Sequence, residues 1–304
     1  MDYRGEQSPT TVFDDALRNT VQLPSSTPIR IRRRASLQRY ISLGALGLVL
    51  VLVFGIDYLR PIEAVAGVAQ AEPPRQVVAL ATNPLLTYPA SLAQNTCALP
   101  KFSRDPERLR AYLTAELGCL DTAWKPVLTA LNMPFAPTKL TMDGSSGSCR
   151  SRDDSTPVAF YCGADNELHM PVDSVLDGTD GIPAVIVGVL AHEYGHHVQD
   201  MSGILLAESR REQNAGRGTE AGLELSRRLE LQANCFAGMF LASVAGRGSI
   251  SRSMAADGAA AFADGGGEKD HGTAAHQGRW AQIGYQENKT AACNTWAAAQ
   301  GDVS

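Results

Sequence analysis

Strong net charge is missing from this chain, and so is any C-x-x-C pair. Lys and Arg number 27 against 32 Asp and Glu, a net charge of −5, which gives no footing for nucleic-acid binding. The six cysteines (Cys97, Cys119, Cys149, Cys162, Cys235 and Cys293) are even in number, and none is spaced as a metal or redox pair. Histidine is scarce, with six in 304 residues, and no internal repeat is visible. Long apolar runs are scarce too. Residues 40–56 (YISLGALGLVLVLVFGI) form the one run that approaches membrane-spanning length, at seventeen uncharged residues. The remainder has the composition of a globular protein, with room for one or two domains.

That run organises the N-terminal third. Residues 1–38 are polar and carry a basic cluster (Arg30, Arg32, Arg33, Arg34, continuing to Arg39), which reads as a disordered cytoplasmic tail. Arginines before the run and few charges after it predict a signal anchor over 39–59, with the N-terminus inside and the rest outside. A cleaved signal peptide is the competing reading, since Ala69-Gln70-Ala71 resembles a small-residue cleavage site. That site lies well past the run, beyond Asp57, Arg60 and Pro61, and the anchor is preferred. Both readings place the following domain outside the cytoplasm, where six cysteines pair as disulfides. Residues 60–95, rich in Ala, Pro, Val and Gln, read as a spacer, and the domain is expected over 96–304.

Within it, Asp105, Pro106 and Glu107 open a helix that continues through Leu109, Tyr112, Leu113 and Leu117. A second helix is expected over 121–131, with Trp124, Val127 and Leu128 inward. Short strands follow at 139–142, 158–162 and 167–170, the last two flanking a turn at 163–166. His169 on the third reads as structural rather than as a ligand. Residues 208–218 are polar and read as a connection. A long helix runs over 219–245, a short one lies near 254–262, and a last one opens with Thr273 as N-cap and runs to Tyr285.

The chemistry lies in residues 183–200, PAVIVGVLAHEYGHHVQD. The segment is apolar almost all round, as a buried helix is, with Pro183 at its start and Gly203 as a stop. Three of the six histidines (His192, His196, His197) fall in it. His192 and His196 are four apart, so they share a helix face and can bind one metal ion. Glu193 lies about 100° round the helix, beside that ion, placed to take a proton from an activated water. H-E-x-x-H alone is a common enough pattern to arise by chance. Burying two histidines and a glutamate without partners is costly, however, which favours a zinc site.

A catalytic zinc takes a third protein ligand. A third His six residues after the second is excluded, because Ser202 stands there. A Glu from a downstream helix is the alternative. Glu230, set between Leu229 and Leu231, fits better than Glu220 or Glu224, whose neighbours are more polar. Asn234 lies one turn beyond Glu230 and can accept a hydrogen bond from the outer nitrogen of a zinc-bound His.

LAHEYGHHVQ (190–199) together with RLELQANCFAG (228–238), FYCGAD (160–165), and HGT (271–273) followed by Arg279-Trp280 resembles the bacterial neutral zinc metallopeptidase family, over about residues 97–296. The resemblance implies an α+β fold: a mostly helical, zincin-like metallopeptidase domain with a small β-sheet, here preceded by one transmembrane helix. It implies one Zn2+ held by His192, His196 and Glu230, with Glu193 as the catalytic acid/base and a peptide or protein as substrate. It also implies the disulfides Cys97–Cys119, Cys149–Cys162 and Cys235–Cys293. The family pattern usually has Asp where this chain has Asn234, a neutral amide that raises ligand basicity less.

The expected reaction is peptide-bond hydrolysis at the membrane surface, with Glu193 moving the proton and a second donor meeting the oxyanion. His271, Tyr285 and Tyr161 are the candidate donors, in that order. Residues 160–161 offer a strand edge to an extended peptide. Two rivals stand beside this reading. One is a zinc-binding but weakly active envelope partner. The other is a different H-E-x-x-H hydrolase, such as a deformylase, which belongs in the cytoplasm.

Overall fold

The computed structural model describes residues 72–143, 148–149, 157–266 and 269–304. The expected tail, the apolar run and the first part of the spacer lie outside the described residues. Among those described, no single helix is long and apolar enough to cross a membrane.

The spacer is shorter than its composition suggests. Leu80, Leu85, Leu86 and Leu92 are buried in the common core. A one-turn helix, α1 (Pro84–Thr87), is capped by the buried Asn83, whose Oδ1 accepts from the Leu85 N–H. The same side chain donates to the Val77 and Ser202 carbonyls, fastening this segment to the core. Leucines scattered among Ala and Pro carry no helical or strand period, so the sequence conceals their burial.

Helix α2 (Pro106–Ala130) starts as expected, with Asp105 accepting from the Arg108 N–H. It is one helix where two were expected, and Pro126 sits inside it. An interior proline costs about 3 kcal/mol. Leu120, Trp124, Val127 and Leu128 continue the buried face of Leu109, Leu113 and Leu117, and each such burial is worth roughly 1.5–3 kcal/mol. Continuity of that face outweighs the proline.

Three short strands, β1 (Lys139–Thr141), β2 (Phe160–Cys162) and β3 (Glu167–His169), form a sheet in the order β1-β3-β2. β2 and β3 are the expected antiparallel hairpin, with Tyr161 opposite Leu168. β1 pairs parallel to β3, with Leu140 opposite Leu168. The domain is therefore mostly helical with a small mixed sheet.

After a short α3 (Val172–Gly178), helix α4 (Pro183–Ser202) carries the H-E-x-x-H segment and is buried along most of its length. Gly203 ends it at φ 85°, a conformation that suits glycine, and a Cβ there would meet the Val77 backbone at 2.9 Å. The chain turns directly into α5 (Ile204–Ala215), where a polar connection was expected. Three of its polar residues face inward: Glu208, Ser209 and Glu212 are buried, beside Ile204 and Leu205. Helix α6 (Glu220–Val244) is capped by Thr219, α7 (Arg252–Ala260) by Ser251 and α8 (Ala274–Glu287) by Thr273.

Glycines set how closely the helices approach. A Cβ on Gly195 of α4 would lie 3.0 Å from the Ala233 Cα of α6. Gly238 of α6 lies under the Ala281 carbonyl of α8, and Gly284 of α8 under the Cys235 carbonyl of α6. Three disulfides tie the elements further: Cys235–Cys293 holds the C-terminal segment to α6, Cys97–Cys119 reaches α2 and Cys149–Cys162 reaches β2.

Candidate metal centre

The close α4–α6 contact at Gly195 and Ala233 brings Glu230, one turn before Ala233, against the two histidines of α4. His192 Nε2 and His196 Nε2 stand 3.2 Å apart. Glu230 Oε2 lies 3.2 Å from the first and 3.3 Å from the second. All three side chains are largely buried, Glu230 at 6% exposure.

Hydrogen bonds behind the rings fix what those nitrogens present. His192 Nδ1 lies 2.7 Å from Asn234 Oδ1, and His196 Nδ1 lies 2.8 Å from Gln199 Oε1. Amide oxygens only accept, so each imidazole carries a proton on Nδ1, and in its neutral form it turns a lone pair inward on Nε2. Glu230 Oε2 accordingly has no hydrogen-bond donor. Two ring nitrogens and a carboxylate oxygen thus converge within 3.3 Å, an arrangement that is repulsive without a cation or shared protons among them. Ligands about 2.0–2.1 Å from a tetrahedral zinc ion stand about 3.3 Å apart, so this donor set fits zinc in chemistry and in spacing.

The electrostatics agree. Burial alone would raise the Glu230 pKa, but His196, His271 and the contacts with His192 hold it well below the usual carboxylate range. Burial alone would lower His196, yet the Glu230 and Glu193 carboxylates raise it to about 9. Each shift records a pocket that favours positive charge.

Glu193 completes the group. One of its oxygens and one ring nitrogen from each of His192 and His196 lie within 4.8 Å of one another. Its pKa is raised, chiefly by burial, with Glu230 adding to this and the nearby histidines opposing it. A carboxylate with a raised pKa is the better proton acceptor.

His271 also reaches the centre, its Nε2 lying 3.5 Å from Glu230 Oε2. Its Nδ1 pairs with the buried Asp270 at 2.8 Å, which orients the ring. It keeps 27% side-chain exposure, the most of this group, so it stands at the mouth of the site.

Of the other expected donors, Tyr161 lies away from the centre. Tyr161 is fully buried, bonded to Asp200 Oδ2 at 2.8 Å and to His197 Nδ1 at 3.2 Å. Tyr285 packs its backbone over Gly238, about 12 Å along α6 from Glu230 at 1.5 Å per residue. His169 is buried and stacked on Phe160 at 4.3 Å, a structural role as expected.

Two contributors escaped the sequence reading. Gln199 lies three residues after His196 on the same helix, and that i, i+3 spacing was a usable signal. Asp270 adjoins His271 in the chain, but it sits in a loop whose fold no period reveals.

Comparisons with known proteins bear on this geometry. A family model described as putative neutral zinc metallopeptidase matches residues 33–296. That match begins well before residue 97, so the likeness extends across the apolar run. The uncharacterized protein Rv2575 of Mycobacterium tuberculosis is 31% identical over 209 residues, covering 59% of this chain and 68% of its own. The uncharacterized protein YpfJ of Escherichia coli is 28% identical over 229 residues, covering 68% and 77%. No solved structure matches the chain.

Proposed function

Since the chain belongs to the putative neutral zinc metallopeptidase family, we propose that it is a zinc-dependent peptidase anchored at the membrane with its catalytic domain outside the cytoplasm. The observation that carries this reading is the convergence of His192 Nε2, His196 Nε2 and Glu230 Oε2 within 3.3 Å. These three would hold the ion. Bound there, zinc supplies Lewis-acid chemistry, polarising a carbonyl and acidifying a water towards a pKa of about 7.

The chain's own residues do the rest. Glu193 receives the proton of the attacking water and delivers it to the leaving amine. Burial raises the pKa of that carboxyl, which makes it the better proton acceptor. Asn234 and Gln199 hold the two imidazoles in their ligand tautomer. His271, oriented by Asp270 at the mouth of the site, is placed to meet the oxyanion of the substrate. The three disulfides support an oxidising address, and the apolar run over 40–56 supports the anchor. The same address speaks against a cytoplasmic deformylase-type hydrolase.

One observation favours a second reading, a zinc-binding protein of low turnover that acts as an envelope partner. The group behind His192 is a neutral amide, Asn234, rather than a carboxylate. A peptide-library digest separates the two. The zinc-loaded wild type should cleave, and Glu193→Gln should keep its zinc and lose about 10²–10⁴-fold in rate. A folded, zinc-loaded wild type that cleaves nothing would favour the partner.

A further inference from the structure

The amide behind His196 is itself held by a second amide, and that one by the C-terminal segment. Gln199 Nε2 donates to the Leu229 carbonyl at 2.8 Å and to Gln232 Oε1 at 3.1 Å. Gln232 Nε2 donates to the Cys293 carbonyl at 3.0 Å. Gln199, Gln232 and Cys293 are all fully buried, so water does not substitute for any of these partners. The direction of the chain of bonds is forced. A backbone carbonyl only accepts, so Gln232 must turn its nitrogen to Cys293 and its oxygen to Gln199. Gln199, facing the Leu229 carbonyl and the Gln232 oxygen, must turn its nitrogen to both. Its oxygen is then left for His196, and His196 Nδ1 must donate.

We infer that Gln232 is a positioning residue for the metal centre: together with the Leu229 carbonyl it orients the Gln199 amide, passing the polarity of the Cys293 carbonyl on to His196, and so favours His196 Nε2 as the unprotonated, metal-facing nitrogen. This rests on the zinc reading above. Without Gln232 only the Leu229 carbonyl holds the Gln199 amide in this orientation, and a flip that presents N–H to His196 favours the tautomer whose Nε2 carries the proton. That tautomer does not bind a metal. The starting carbonyl is itself well anchored. Cys293 is bonded to Cys235 of α6, and the residues after it grip the same helix. Thr295 Oγ1 donates to the Arg228 carbonyl at 2.6 Å, and Arg228 donates in return to the Thr295 and Ala298 carbonyls. The C-terminal segment therefore sets a ligand's tautomer from two side chains away.

The test is zinc affinity, read by competition with a chelator on the folded full-length chain. Gln232→Met keeps length and bulk without the amide, and Gln232→Asn keeps an amide too short to span both partners. Each should weaken zinc binding by about tenfold or more, as loss of groups behind metal ligands does. The matched control is Thr295→Val, which removes a buried hydrogen bond between the same segment and the same helix but lies off the relay. It should change affinity less than about threefold, below the loss expected of a ligand-supporting group. Unchanged affinity in the Gln232 variants overturns the relay, as does an equal loss in Thr295→Val, which would mark a general loosening. A folded wild type that takes up no zinc is a different failure, since it removes the metal reading and the relay with it.

Discussion

His196 and His197 are adjacent in the chain, both are buried, and they behave as opposites. His196 faces α6, where the Glu230 and Glu193 carboxylates overcome the effect of burial and raise its pKa to about 9. His197 is turned about 100° round the helix. It lies between Tyr161, Tyr194 and Phe135, where burial lowers its pKa to about 4. One imidazole is built to share a cation, and the other is a neutral packing group whose Nδ1 meets the Tyr161 hydroxyl. Residue type therefore says little about role here; the face of the helix and what crosses it decide.

The largest expected effect breaks this pair directly. His196→Ala should abolish stoichiometric zinc on metal analysis, whereas His197→Phe should keep it. Equal loss in both would erase the distinction. The pH dependence sharpens it. His197 has a folded pKa below its unfolded value of about 6.5, so protonation favours the unfolded chain. Its contribution to stability is full above about pH 6.5 and declines as pH falls towards 4, amounting to about 3 kcal/mol. Denaturant unfolding between pH 7 and 4 should therefore fall less steeply in His197→Phe than in the wild type. Parallel curves would show that His197 is not the buried neutral group described.

A smaller effect probes the helix crossing that makes the His196 side special. Gly195→Ala inserts a methyl 3.0 Å from Ala233 Cα and should cost roughly 1–3 kcal/mol of stability, together with weaker zinc binding. Unaltered zinc affinity would mean that the α4–α6 spacing does not tune the site. The smallest effect is expected at His192. Asn234→Asp puts a charge behind that ring and should leave zinc content unchanged while raising peptidase activity several-fold, within the range for such supporting groups. A fall in activity would give the amide a different task.

How much of this was legible beforehand follows the same line. The ligand face could be read because a helix turns a four-residue spacing into one surface, and Glu230 because a carboxylate between two leucines needs a partner. Helix caps at Asp105 and Thr273 were equally local and equally visible. What stayed hidden was set by tertiary contact. Helix α5 looked like a connection because its inward face carries Glu208 and Glu212 instead of apolar residues. Burial and the nearby Glu212 and Glu230 raise the Glu208 carboxyl well above its usual range, which favours its neutral form. Leu80, Leu85 and Leu86 looked like spacer because no period links them. Gln232 sits in the middle of a helical stripe, and only the Cys293 carbonyl opposite it reveals a use.

The central claim concerns which atoms hold the ion, and X-ray absorption at the zinc edge of the loaded full-length chain tests it most directly. The account predicts a four-coordinate shell of two imidazole nitrogens, one carboxylate oxygen and one further light atom, with the carboxylate contribution lost in Glu230→Ala. A shell containing sulfur, or one unchanged by Glu230→Ala, would contradict it.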